Sequence, residues 1–109
     1  MTKVFVTGIG IISAIGSDLK QNRKSLVEGN SGLRRSTHLD SNYKDQFYFG
    51  EVPLSDQELH DLLKLNPVDG FCRTDLLAFK AFEEAISDAK LNPQDLSRTD
   101  TGIASASTV

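Results

Sequence analysis

The run Lys3–Gly16, KVFVTGIGIISAIG, constrains the fold of this chain more than any other stretch. Val4, Phe5 and Val6 form a β-branched and aromatic burst too short for a helix, so they predict a strand. Gly8 and Gly10 follow at once, where the backbone can turn sharply or approach another element without a Cβ in the way. A strand that empties into glycines raises the question of a dinucleotide loop. That fingerprint, G-x-G-x-x-G, opens directly into a helix so that a pyrophosphate meets bare backbone N–H groups. Position 13 is Ser, the next glycine is Gly16, and bulky Ile11, Ile12 and Ile15 lie between. The fingerprint also wants an acid about 20 residues further on, at the end of a second strand. The only candidate, Glu28, falls inside a predicted helix. A small nucleotide-binding module is therefore an alternative reading, beside a structural one in which the glycines let a loop cross closely over a sheet edge.

With 109 residues, 39% of them hydrophobic and 25% charged, the chain has the make-up of one small globular unit. Twelve basic and fifteen acidic side chains leave a formal charge of −3, no field for gripping a nucleic acid backbone. No apolar run approaches the ~18 residues of a membrane span, and MTKVFV lacks the features of a secretory signal, so a cytoplasmic protein without membrane contact is expected. A single cysteine, Cys72, excludes an internal disulfide. His38 and His60 lie too far from it in sequence to suggest a structural zinc site, and no cofactor is implied.

Further along, Ser17 is placed to cap a helix over about Asp18–Glu28, with Gly29 stopping it. Leu33 to Lys44 lacks periodicity and reads as an exposed excursion, followed by a short strand around Phe47 and Phe49 that Pro53 ends. Ser55 and Glu58 form a capping box for a short helix bearing Leu59, Leu62 and Leu63, closed at Asn66-Pro67. The strongest helical pattern runs from Thr74 or Asp75 to Lys90, with Leu76, Phe79, Phe82 and Ile86 near helical spacing. Ala78, Ala81, Ala85 and Ala89 on that helix permit close approach by another element. Leu91-Asn92-Pro93 closes it, and a polar link follows. Thr101–Val109, TGIASASTV, then reads as a strand of small residues suited to the middle of a layered α/β structure. With so few strands to pair, the chain is expected to be the front part of a larger α/β protein, exposing apolar faces when alone.

Taken together, VFVTGIGIISAIG at 4–16, LVEGNSG at 26–32, RTDLLAFKAFEEAISDAKL at 73–91 and TGIASASTV at 101–109 resemble the N-terminal part of an elongating β-ketoacyl-acyl carrier protein synthase, of the thiolase-like condensing enzymes. The resemblance covers essentially the whole chain and leaves Arg34 to Pro67 as its variable part. It implies a thiolase-like αβαβα fold built from two duplicated halves, usually in a homodimer, of which these residues form an incomplete N-terminal part. It further implies decarboxylative Claisen condensation of an acyl-enzyme thioester with malonyl-acyl carrier protein, in fatty-acid or polyketide synthesis. A non-catalytic partner subunit resembling chain-length factors would share the same front half.

The cysteine nucleophile and the two enolate-stabilising histidines of that family would lie beyond position 109, so no catalytic residue is expected among these 109. Cys72, between Phe71 and Arg73, is expected to be a small buried hydrophobe; neither histidine is near it in sequence to act as a base. His60 reads as a surface or boundary residue and His38 as part of the polar excursion. Arg73 and Asp75 are read as bridging to each other or to a neighbouring element. Val109 matches the position at which the family's branched apolar residue lines the acyl pocket near the dimer partner. A methylene there is worth about 1–3 kcal/mol, enough to tune chain length without changing the chemistry.

Overall fold

Four α-helices and one 3-10 turn at Pro67–Asp69 carry the described residues, 1–107, in a computed structural model: α1 (Leu19–Glu28), α2 (Asp56–Leu63), α3 (Arg73–Asp88) and α4 (Pro93–Leu96). Asp18, one residue after the expected Ser17, caps α1 by accepting a hydrogen bond from the Gln21 amide at 2.7 Å. Ser17 instead hydrogen-bonds the Gln21 side chain. Gly29 ends α1 in the left-handed region at φ 69°, where a Cβ would be strained. The Ser55–Glu58 capping box forms as its spacing predicts, and Asn92 with Asp95 builds a second one that opens α4 inside the stretch expected to be a polar link.

Packing centres on α2 and α3, whose Leu59 and Leu76 are the fully buried apolar side chains. The Arg73 guanidinium spans the two helices, donating to Asp56 at 2.6 Å and to the Val52 carbonyl at 2.9 Å. The Phe71 and Phe79 rings meet edge to face at 5.2 Å. Of the expected α2 stripe, Leu59 is buried and Leu62 is half exposed.

Neither expected apolar strand forms a ladder among the described residues. Their β-pairing is confined to two isolated antiparallel bridges, Ser13 with Gly16 and Arg34 with Phe49. The second lies where a short strand is expected. Val4, Phe5 and Val6 are 92, 75 and 80% exposed, and Ile103 is 78% exposed. Both extended segments lack a hydrogen-bonded neighbour strand there, and a strand without one gains too little to pair. The layered sheet expected from the sequence is thus not present among residues 1–107, and Val109 lies outside the described residues.

The accessible surface of 8683 Å² compares with about 6,000 Å² for a compact monomer of this mass. The excess includes the uncovered apolar faces expected from the sequence.

Candidate functional site

The glycine-bearing segment is seated on α3. A Cβ at Gly8 would come within 2.7 Å of the Ala89 Cβ, and one at Gly10 within 2.7 Å of the Ala85 nitrogen. The alanine face of α3 and the glycines opposite it thus form a backbone-to-backbone seam. Carboxylates on the same helix complete it: the Ile9 amide donates to Asp88 and the Ile11 amide to Glu84, each at 2.9 Å. The second oxygen of Glu84 accepts from the Leu19 amide at 2.7 Å, tying the first turn of α1 to the seam. Two amides that a phosphate loop would offer to its ligand are therefore held by anionic side chains of the protein itself.

Position 13, where the fingerprint wants glycine, is occupied with equal purpose. The Ser13 hydroxyl donates to the Asn22 side-chain oxygen and accepts from the Ile15 amide at 3.2 Å. Asn22, 3% exposed, donates from Nδ2 to the Gly16 and Asp18 carbonyls at 2.9 and 2.8 Å. Ser25 donates to the Ile15 carbonyl at 2.7 Å, and Arg34 to that of Ala14 at 2.8 Å. These bonds fasten residues 13–16 to α1. Gly16 is required because a Cβ there would lie 2.5 Å from the Asn22 nitrogen. Asn22 was not singled out by its sequence, although a polar residue on the inner side of an amphipathic helix is the signal that marks it.

The excursion from Leu33 is organised by Glu51. Its carboxylate accepts from the Ser36 hydroxyl at 2.8 Å and from the Thr37, His38 and Leu39 amides at 2.8, 3.1 and 2.7 Å. Partial desolvation would raise its pKa, but the hydrogen bonds from Thr37, Ser36, His38 and Leu39 together outweigh it and hold the value at about 2. His38 stays exposed, in the excursion as expected, and helps hold the Glu58 carboxyl below its usual range, after the Ser55 hydrogen bonds.

Two expectations change. Cys72 is exposed, because it precedes α3 at the open start of the helix, where its amide donates to Asp75 at 3.0 Å. His60 is buried at 7% exposure, on the short helix α2 that contacts α3, and its Nδ1 has no hydrogen-bond partner among the described residues. Arg73 bridges to a neighbouring element and Asp75 caps its own helix, so the two do not pair.

No hydrogen bond joins Cys72 to His38 or His60 among the described residues. Among the described residues no group of three or more His, Cys, Asp or Glu side chains could hold a metal ion, and no helix is long and apolar enough to cross a membrane.

The seam, with the bonds that fasten residues 13–16 to α1, forms a structural scaffold among the described residues. The chain belongs to the β-ketoacyl synthase family: the family model for the β-ketoacyl synthase N-terminal domain matches residues 1–109. It is similar to 3-oxoacyl-[acyl-carrier-protein] synthase 1 of Escherichia coli K12, 33% identical over 94 residues, covering 86% of this chain and 22% of that protein. Synthase 2 of Synechocystis sp. PCC 6803 is 32% identical over 102 residues, covering 93% of this chain and 24% of the relative. Synthase 2 of Staphylococcus aureus N315 is 30% identical over 94 residues, covering 85% and 22%. The chain thus spans about a quarter or less of the length of these curated relatives. No solved structure matches it.

Proposed function

We propose that these residues are the N-terminal segment of a thiolase-like domain in a 3-oxoacyl-[acyl-carrier-protein] synthase. The observation that carries this reading is the family match across residues 1–109, supported by three relatives that share one printed activity. The fold proposed for the whole protein is the layered αβαβα arrangement, in which Lys3–Thr7 and Thr101–Val109 become sheet strands and α3 covers one face. The segment's part is structural, and Val109 would contribute to the wall of the acyl pocket.

The whole protein would carry out a decarboxylative Claisen condensation. A cysteine thiolate attacks the acyl-carrier thioester carbonyl, and the carrier thiol leaves. Malonyl-carrier protein then loses CO₂, and the resulting enolate forms a carbon–carbon bond to the acyl carbonyl while the enzyme thiolate departs. Oxyanion stabilisation serves both tetrahedral intermediates. None of these reacting groups is assigned to residues 1–109. Acyl carrier protein is the proposed partner, with a homodimer in the cytoplasm as the working form.

The test supplies the full-length protein with acyl- and malonyl-acyl carrier protein and follows release of CO₂ and formation of the 3-oxoacyl thioester. Both should appear in equal amounts. Their absence would contradict the proposal.

A further inference from the structure

Three successive amides and two hydroxyls of the Leu33–Glu51 excursion converge on a single carboxylate. Oε1 of Glu51 accepts from the Ser36 hydroxyl and the Leu39 amide at 2.8 and 2.7 Å. Its Oε2 accepts from the Thr37 amide and hydroxyl at 2.8 and 3.3 Å. The His38 amide reaches both oxygens, at 3.1 and 3.3 Å. Ser36 Oγ also accepts from the Leu39 amide at 2.9 Å, which holds that hydroxyl in place from the loop's own side. Elsewhere among the described residues a carboxylate takes at most two backbone amides, as Glu84 does from Ile11 and Leu19. Residues 36–39 lie in no helix. Their amides are thus a nest, a concave backbone arrangement suited to a small anion, and not the open end of a helix. Glu51 enters it from 12 to 15 residues along the chain. The same residue lines a 400 Å³ cavity with Phe49 and Leu77, where His38 and Arg73 stand against Asp40. A shorter side chain at position 51 would leave the nest open to that cavity.

We propose that residues 36–39 are an oxyanion-binding site which Glu51 fills from within the chain, and that a free small carboxylate takes the site once that side chain is cut back. The ligand class follows from the donors. They divide into two groups, one for each oxygen of a planar carboxylate, and hydrogen bonds to a charged acceptor are the strong kind. The inference does not rest on the reading under Proposed function.

The test melts the full-length protein carrying Glu51→Ala in sodium formate and in sodium chloride at equal ionic strength and pH 7, beside the wild type and Glu51→Gln. Formate should raise the midpoint of Glu51→Ala above its value in chloride, and the rise should saturate, as expected of a ligand that binds only the folded state. The wild type and Glu51→Gln, whose side chains occupy the nest, should show no rise specific to formate. Adding Ser36→Ala to Glu51→Ala removes one donor and should weaken the apparent formate affinity by about ten-fold. If Glu51→Ala does not fold in chloride, recovery of the fold becomes the readout: formate should restore it, as seen by circular dichroism. A variant that folds in neither salt would overturn the proposal, as would a folded variant with the same midpoint in both. A formate response shared by the wild type, or one that Ser36→Ala leaves unchanged, would overturn it equally.

Discussion

Gly10 lies against the backbone of Ala81: a Cβ at position 10 would overlap the Ala81 carbonyl oxygen and crowd the Ala85 nitrogen. The contact explains why glycine and alanine occur opposite each other, and it gives the seam a measurable stability. Gly10→Ala should destabilise the full-length protein by about 1–3 kcal/mol or more, the usual cost of forcing atoms into a packed contact. Gly29 has open space around it but sits at φ 69°, so Gly29→Ala should cost only about 1–2 kcal/mol, from backbone strain alone. Urea unfolding of the two variants compares them directly.

Ser13→Gly would create the spacing G-x-G-x-x-G at positions 8, 10 and 13. A nucleotide loop would then gain affinity. The seam predicts instead that calorimetry with NAD(P) or ATP shows no binding, since the Ile9 and Ile11 amides remain engaged by Asp88 and Glu84. The variant should lose about 1 kcal/mol or more of stability with the Ser13–Asn22 hydrogen bond, the Asn22 oxygen being left without that donor.

The acid response of the Leu33–Glu51 region should depend on Glu51. Its folded pKa of about 2 lies below the model-compound value of 4.5, so its contribution is fully present above that value and is lost as pH falls through about 2. Glu51→Gln should lower the thermal midpoint at pH 7. The gap between variant and wild type should close as the pH is brought down from about 4.5 toward 2. A gap that stays constant would remove Glu51 from the account.

Cys72 is exposed and precedes α3. It should react with a thiol reagent in the folded full-length protein. Cys72→Ser should still accept an acyl group, because the proposed nucleophile lies elsewhere in the protein. Loss of loading with the fold intact would point to Cys72 itself.

Local signals were the legible ones. Ser55 with Glu58, Gly29 and the α3 pattern each act within a turn or two, and each appears close to where its spacing puts it. The alanines of α3 were readable as a close-approach face, but not that Gly8 and Gly10 would be what approaches. Contacts across tens of residues, such as Ile11 to Glu84, leave no periodic trace. The burial of His60 and the exposure of Cys72 depend on how α2 and α3 pack, which neither helix reveals alone. The strands expected at Val4–Val6 and Thr101–Val109 rest on composition, yet a strand exists only with a neighbour to bond, and residues 4–6 and 101–107 have none among the described residues.

The most direct test of the condensing-enzyme reading is the intact mass of the full-length protein after exposure to acyl-acyl carrier protein. The account predicts a gain of one acyl group per chain, discharged when malonyl-acyl carrier protein is added. A mass that does not change, from a folded protein, would contradict it.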